Sequence, residues 1–144
     1  PDENDKDYSG EDAMIHWKVF NNKGFNSWCY ASLNDVKSNV SKASKKLNLQ
    51  MNNIKYIKGD VEKTLKDNVN LPKKISILRL DTDFYNSTKL ELEILYPKLS
   101  VGGFLIVDDY GYWKGSKKAC LEYFGNDIQF IKVDDSCVYL KKIK

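Results

Sequence analysis

An α/β domain, its sheet mostly parallel with an antiparallel C-terminal hairpin, is what this sequence predicts on three observations. Helix-like and strand-like patterns alternate from residue 32 onward, the order that builds a sheet through crossover helices. Two runs, "ISILRL" (75–80) and "FLIV" (104–107), are near-continuous and rich in branched residues, as in strands buried on both faces of a parallel sheet. The last two strand-like stretches, "DIQFIKV" and "SCVYLKKI", are separated only by Asp134 and Asp135, which suits a hairpin.

Residues 1–30 show no sustained period. They mix Gly10, Gly24 and several Asn and Asp with Trp17, Phe20, Phe25, Trp28 and Tyr30, which predicts a lid-like loop region ahead of a single domain over 31–144. In "SLNDVKSNVSKASKKLNL", Leu33, Val36, Val40, Ala43 and Leu47 fall three and four residues apart, an apolar helical stripe opposite a lysine-rich face. Ser32 and Asp35 have capping-box spacing at its start. "IKYIKGD" (54–60) reads as a short strand broken at Gly59, and "VEKTLKDN" as one or two helical turns. After "ISILRL", the stretch "STKLELEILYPKL" predicts a helix built on Leu92, Leu95 and Leu99, capped by Ser87 or Asn86 and limited by Pro97. Gly102 and Gly103 lead into "FLIVDD", and "KGSKKACLEYF" supplies a further amphipathic helix.

A chain of 144 residues, 42% hydrophobic, is enough for one core. Its net charge of +3 comes from lysines dispersed between Lys6 and Lys144, so neither nucleic acid nor a membrane surface is indicated as a partner. Cys29, Cys120 and Cys137 are odd in number and lack CxxC spacing; reduced thiols in a cytoplasmic, soluble protein are expected. No apolar run approaches the roughly 18 residues of a membrane span. The opening on Pro1, in "PDENDKDYSGED", reads as the interior of a longer polypeptide.

Both central strands end on carboxylates: Asp81 and Asp83 in "LRLDTDFYNST", Asp108 and Asp109 in "FLIVDDY". Ligands of open α/β sheets bind beyond the carboxyl ends of the strands. Neighbouring strands ending this way would crowd like charges, which raises carboxyl pKa values unless a cation compensates. A hard divalent ion such as Mg²⁺ suits oxygen ligands. The bland alternative is that Asp83 and Asp109 cap the helices that follow, as in a non-catalytic α/β module with at most an accessory metal site. "DTDFYNST" and "VDD" also resemble, superficially, the acidic motifs of haloacid-dehalogenase-like phosphatases, but the interval from Asp81 to Asp108 holds a single helix and no room for that family's lysine and hydroxyl motifs.

Taken together, "SWCYASLNDVKSN", the "GD" after "IKYI", and "LRLDTDFYNSTKLELEILYPKLSVGGFLIVDDYGYWKG" resemble the macrocin O-methyltransferase family across nearly the whole chain. The resemblance implies a Rossmann-like class I methyltransferase fold, S-adenosylmethionine as methyl donor, and a sugar or related small-molecule hydroxyl as acceptor. It implies Asp81, Asp108 and Asp109 as Mg²⁺ ligands, Gly59, Asp60 and Val61 against the adenine, and Thr82 near the methionine moiety. Asp83 is the nominated catalytic base beside Asp81. Catechol-type relatives carry a lysine three residues after the first metal aspartate, where this chain has Phe84. His16 is a less favoured base, Trp28 and Tyr30 line the pocket or anchor the lid, and Tyr110, Tyr112, Trp113 and Lys114 offer an acceptor wall. The glycine-rich loop that follows strand 1 in such enzymes has no counterpart here. Strands 1 and 2 are therefore expected to be lacking, and the chain alone to be inactive. A homodimer is compatible with the resemblance.

Overall fold

The computed structural model describes residues 1–144 apart from 24, 52, 68 and 70. The loop glycine at 24 and the end of the expected "VEKTLKDN" helix at 68 therefore lie outside the described residues.

Residues 1–12 form an irregular strap, bridged between Lys6 and Asp12 and between Asp7 and Trp113. Helix α1 (Ala13–Phe20) follows, started by the Asp12 carboxylate accepting the Met14 N–H. A minimal hairpin, β1 (Asn21–Asn22) with β2 (Phe25–Asn26), completes a segment expected to be loop. The helix escapes sequence reading because it spans barely two turns and its aromatic and branched residues have modest helix propensity; its cap and its neighbours hold it.

Helix α2 (Leu33–Leu47) has the expected Ser32–Asp35 capping box. None of its residues is buried: Leu33, Val36 and Leu47 of its apolar stripe are exposed and Val40 is half-buried. The "IKYI" segment is not a strand: residues 54–58 are irregular and Ile54, Tyr56 and Ile57 are exposed. A strand exists only through a partner's hydrogen bonds, and none of the described strands lies alongside this one. Only one turn, α3 (Val61–Thr64), follows it.

The main sheet has β3 (Ile75–Leu80) parallel to β4 (Leu99–Val107), with Leu80 opposite Val107. The C-terminal hairpin, β5 (Ile131–Lys132) and β6 (Val138–Lys141), then adds antiparallel in the order β3-β4-β6-β5. Between β3 and β4 runs α4 (Tyr85–Leu95) with a 3₁₀ turn at Tyr96–Lys98; between β4 and β5 runs α5 (Lys114–Phe124).

Both helices pack on one face, where Leu78, Leu80, Leu92, Leu105, Val107, Cys120 and Leu140 form the core. Fully burying each large aliphatic side chain is worth about 1.5–3 kcal/mol. Burial on both faces does not hold: Ile77 is 66% and its β4 partner Phe104 38% exposed on the other side. The branched runs reflect an apolar second face, which is open in this chain.

Candidate functional site

Because β3 and β4 are parallel and end level, the residues after Leu80 and Val107 emerge side by side; the Asp108 N–H donates to the Leu80 carbonyl at 3.0 Å. Asp81, Asp83 and Asp109 each offer a carboxylate oxygen, and the three lie within 4.8 Å of one another. Asp108 is turned to Arg79, whose guanidinium reaches it at 2.8 Å and also binds Asp81. Asp83 adopts a left-handed backbone (φ 66°), uncommon for a non-glycine residue, which brings its carboxyl back over the strand ends.

None of these acids serves as a helix cap. Helix α4 starts behind Phe84 and α5 behind Trp113, both without a side-chain cap. Ser87 and Asn86, the expected caps of α4, lie inside the helix. The Tyr85 N–H is instead accepted by buried Asp5, at 2.7 Å from 80 residues away.

Burial raises the Asp81 carboxyl, with Asp108 adding to the effect against the pull of Arg79. Burial also raises Asp83, with the charges of Asp81 and Asp108 behind it. Asp109 is pushed up to about 7, first by burial and then by its hydrogen bond and charge repulsion with Asp83. A second carboxyl near the site, Glu91 on α4, is raised to about 7 by burial. The folded chain thus binds more protons than the unfolded chain between the ordinary carboxyl range and neutrality. Stability must fall as pH rises through that window and level off above it. Asp7, Glu122 and Asp134 are shifted down and lose their contribution only at more acidic pH. Without divalent cations, the unfolding free energy from urea titration is expected to be higher at about pH 5.5 than at about pH 8, by on the order of 1–2 kcal/mol after solvent screening, and the slope with pH should shrink in Glu91→Gln. A free energy that rises with pH would contradict this.

An aromatic cluster walls one side of the site. Phe84 packs edge-on to Trp113 at 5.6 Å, Trp28 meets both at about 6 Å, and His16 stacks on Trp28 at 5.4 Å. Trp28 and Trp113 thus join the wall, whereas Tyr30 packs on Phe25 and Tyr110 on Phe130. Tyr112 touches Trp113 and Tyr8, and the Lys114 N–H donates to the Lys6 carbonyl.

Of the residues expected to face the methyl donor, Gly59 and Val61 line a cavity of about 670 Å³ along the free edge of β3, together with Leu65, Ile77 and Arg79. Asp60 caps α3 by accepting the Glu62 N–H, and the Thr82 hydroxyl donates to Glu91. Arg79, Glu91 and Asp5 were not among the expected site residues. The first two are signalled in the sequence as charges inside apolar patterns, Arg79 within "ISILRL" and Glu91 on the stripe leading to Leu92 and Leu95.

A parallel strand pair with an acidic, aromatic-walled mouth at its carboxyl end defines a class, the α/β fold of methyltransferases. It superposes on the O-methyltransferase NovP with a TM-score of 0.69 and 32% identity, over 83% of this chain and 48% of that one. The family model for macrocin O-methyltransferase (TylF) matches residues 19–142, and the chain belongs to that family. It is 41% identical over 73 residues to demethyldecarbamoylnovobiocin O-methyltransferase of Streptomyces niveus, covering 49% of this chain and 28% of that protein. Structural similarity extends to CalS11, a TDP-rhamnose 3'-O-methyltransferase of calicheamicin biosynthesis, with a TM-score of 0.50 and 26% identity over 59% of this chain and 40% of that one. The chain thus spans about half or less of the length of these relatives. Among the described residues, no helix is long and apolar enough to cross a membrane.

Proposed function

We propose that this chain carries the metal-binding and acceptor-facing part of an S-adenosylmethionine-dependent, Mg²⁺-assisted O-methyltransferase acting on a sugar or related hydroxyl. The observation that carries the reading is the convergence of Asp81, Asp83 and Asp109 within 4.8 Å at the strand ends, with none of them spent on a helix cap.

The residues fit a hard divalent cation: the donors are all carboxylate oxygens, and their pKa values are raised first by burial and then by neighbouring carboxylate charge, the part that a cation would relieve. Family membership and the likeness to CalS11, named as a TDP-rhamnose 3'-O-methyltransferase, support the acceptor class. Gly59 and Val61, in the cavity beside β3, support contact with the methyl donor.

Asp81 and Asp109 are the ligands on which resemblance and geometry agree; the resemblance adds Asp108 and the geometry adds Asp83. When bound, Mg²⁺ lowers the pKa of an acceptor hydroxyl at neutral pH. Phe84 and Trp28, half-buried and backed by buried Trp113, offer apolar ring surface against which a sugar ring packs, restricting its approach. Asp83 has two carboxylate oxygens: one reaches the cation site, and the other is suited to accept the hydroxyl proton as methyl transfer proceeds. No acid is needed, because a sulfonium leaves as a neutral thioether. Calorimetric titration of the chain with MgCl₂ tests the reading: one saturable site is expected, and heats of dilution alone would overturn it.

A further inference from the structure

Thr82 is held from two sides. Its hydroxyl donates to Glu91 Oε2 at 2.9 Å, while its carbonyl accepts the Phe84 N–H at 2.7 Å and the Ser87 hydroxyl at 3.1 Å. Glu91 is 5% exposed, beside Leu92 and Thr88 on the buried face of α4. A carboxyl there is costly, and an apolar side chain of similar size would pack at least as stably. Its hydrogen bond goes to the residue between Asp81 and Asp83, and Asp83 holds a left-handed conformation that the turn must enforce.

We infer that Glu91 is a positioning residue: through Thr82 it fixes the Asp81–Asp83 turn and so the spacing of the two carboxylates. The inference rests on the metal reading above for its consequence, but the fixing of the turn is measurable without metal. Glu91 is not one of the three converging carboxylates; it acts through the helix, tying the acidic turn to the core.

Amide hydrogen exchange on the ¹⁵N-labelled 144-residue chain, read beside Mn²⁺ affinity by electron paramagnetic resonance, provides the test. Glu91→Leu and Thr82→Val are each expected to keep the global fold while the Phe84 amide exchanges about tenfold faster and Mn²⁺ binds about three- to tenfold more weakly. Glu91→Gln, which keeps the acceptor, should restore both, and the double variant should be no worse than either single one. Unchanged Phe84 exchange in folded Glu91→Leu would overturn the inference. If that variant does not fold, Thr82→Val decides by the same readout. Faster exchange in a chain whose parent binds no Mn²⁺ upholds the positioning role and refutes the metal reading instead.

Discussion

Asp109→Asn is expected to raise the melting temperature of the metal-free chain at about pH 8 and to abolish its response to Mg²⁺, two opposite effects of one substitution. In the parent chain Asp109 faces Asp83 from a half-buried position, and the ionised form is disfavoured up to about pH 7. Asparagine keeps the shape and removes the charge, so the repulsion with Asp83 disappears. The same charge attracts the cation. Changes to groups behind metal ligands already cost 10–100-fold in affinity, so losing a ligand should cost on the order of a hundredfold or more. The measurement is a pair of thermal melts with and without MgCl₂: the parent should start lower and rise, the variant start higher and stay. Equal Mg²⁺-induced shifts in the two would refute the assignment. Asp83→Asn and Asp108→Asn, run beside it, identify the third ligand. Asp108 is held by Arg79 at 2.8 Å, whereas Asp83 already lies with Asp81 and Asp109, so the larger loss is expected in Asp83→Asn.

What could be read in the sequence was what short-range chemistry decides. The α2 capping box, the two apolar strands, the helix between them and the closing hairpin all follow from local spacing, and the acidic strand ends from their abrupt polarity. "IKYI" does not form the expected strand because its alternation specifies an extended segment but not a neighbour, and none of the described strands supplies one. The open faces of β3 and β4 have the same origin: branched runs say that both faces are apolar, not that both are covered. At the site, the four aspartates and their crowding were evident, but which three converge was not. Arg79 draws Asp108 aside, and the backbone of Asp83 turns it inward, neither of which periodicity encodes. The capping of α4 by Asp5 lay further out of reach, since no local pattern links residues 80 apart.

That distant cap underlies the second large effect, expected from Gly115→Ala. In a helix this change ordinarily stabilises by up to about 1 kcal/mol, because alanine loses less backbone entropy. Gly115 lies in the first turn of α5, and a Cβ there would sit 2.0 Å from Asp5 Oδ1 and 3.0 Å from the Tyr85 nitrogen. The missing side chain is what lets the strap, the start of α4 and the start of α5 meet. Asp5 has little freedom to retreat: its carboxylate accepts the Asp2 and Tyr85 N–H groups at 2.7 Å each, and its carbonyl accepts from Ala13 at 2.9 Å. Displacing it removes the cap of α4, worth about 1–2 kcal/mol, and strands buried polar groups at about 1–3 kcal/mol more. The net expectation is destabilisation by about 2–4 kcal/mol in urea unfolding, with faster proteolysis within residues 1–12. Asp5→Ala supplies the control, since it deletes the clashing oxygen. In that background the cost of Gly115→Ala should shrink to what the 3.0 Å approach to the Tyr85 nitrogen leaves, a coupling that a double-mutant cycle measures directly. Stabilisation by Gly115→Ala in the parent would show that the strap is not clamped there. The cap also sits immediately after Asp83 and Phe84, so freeing it should loosen the acidic turn and weaken Mg²⁺ binding without touching a carboxylate at the site.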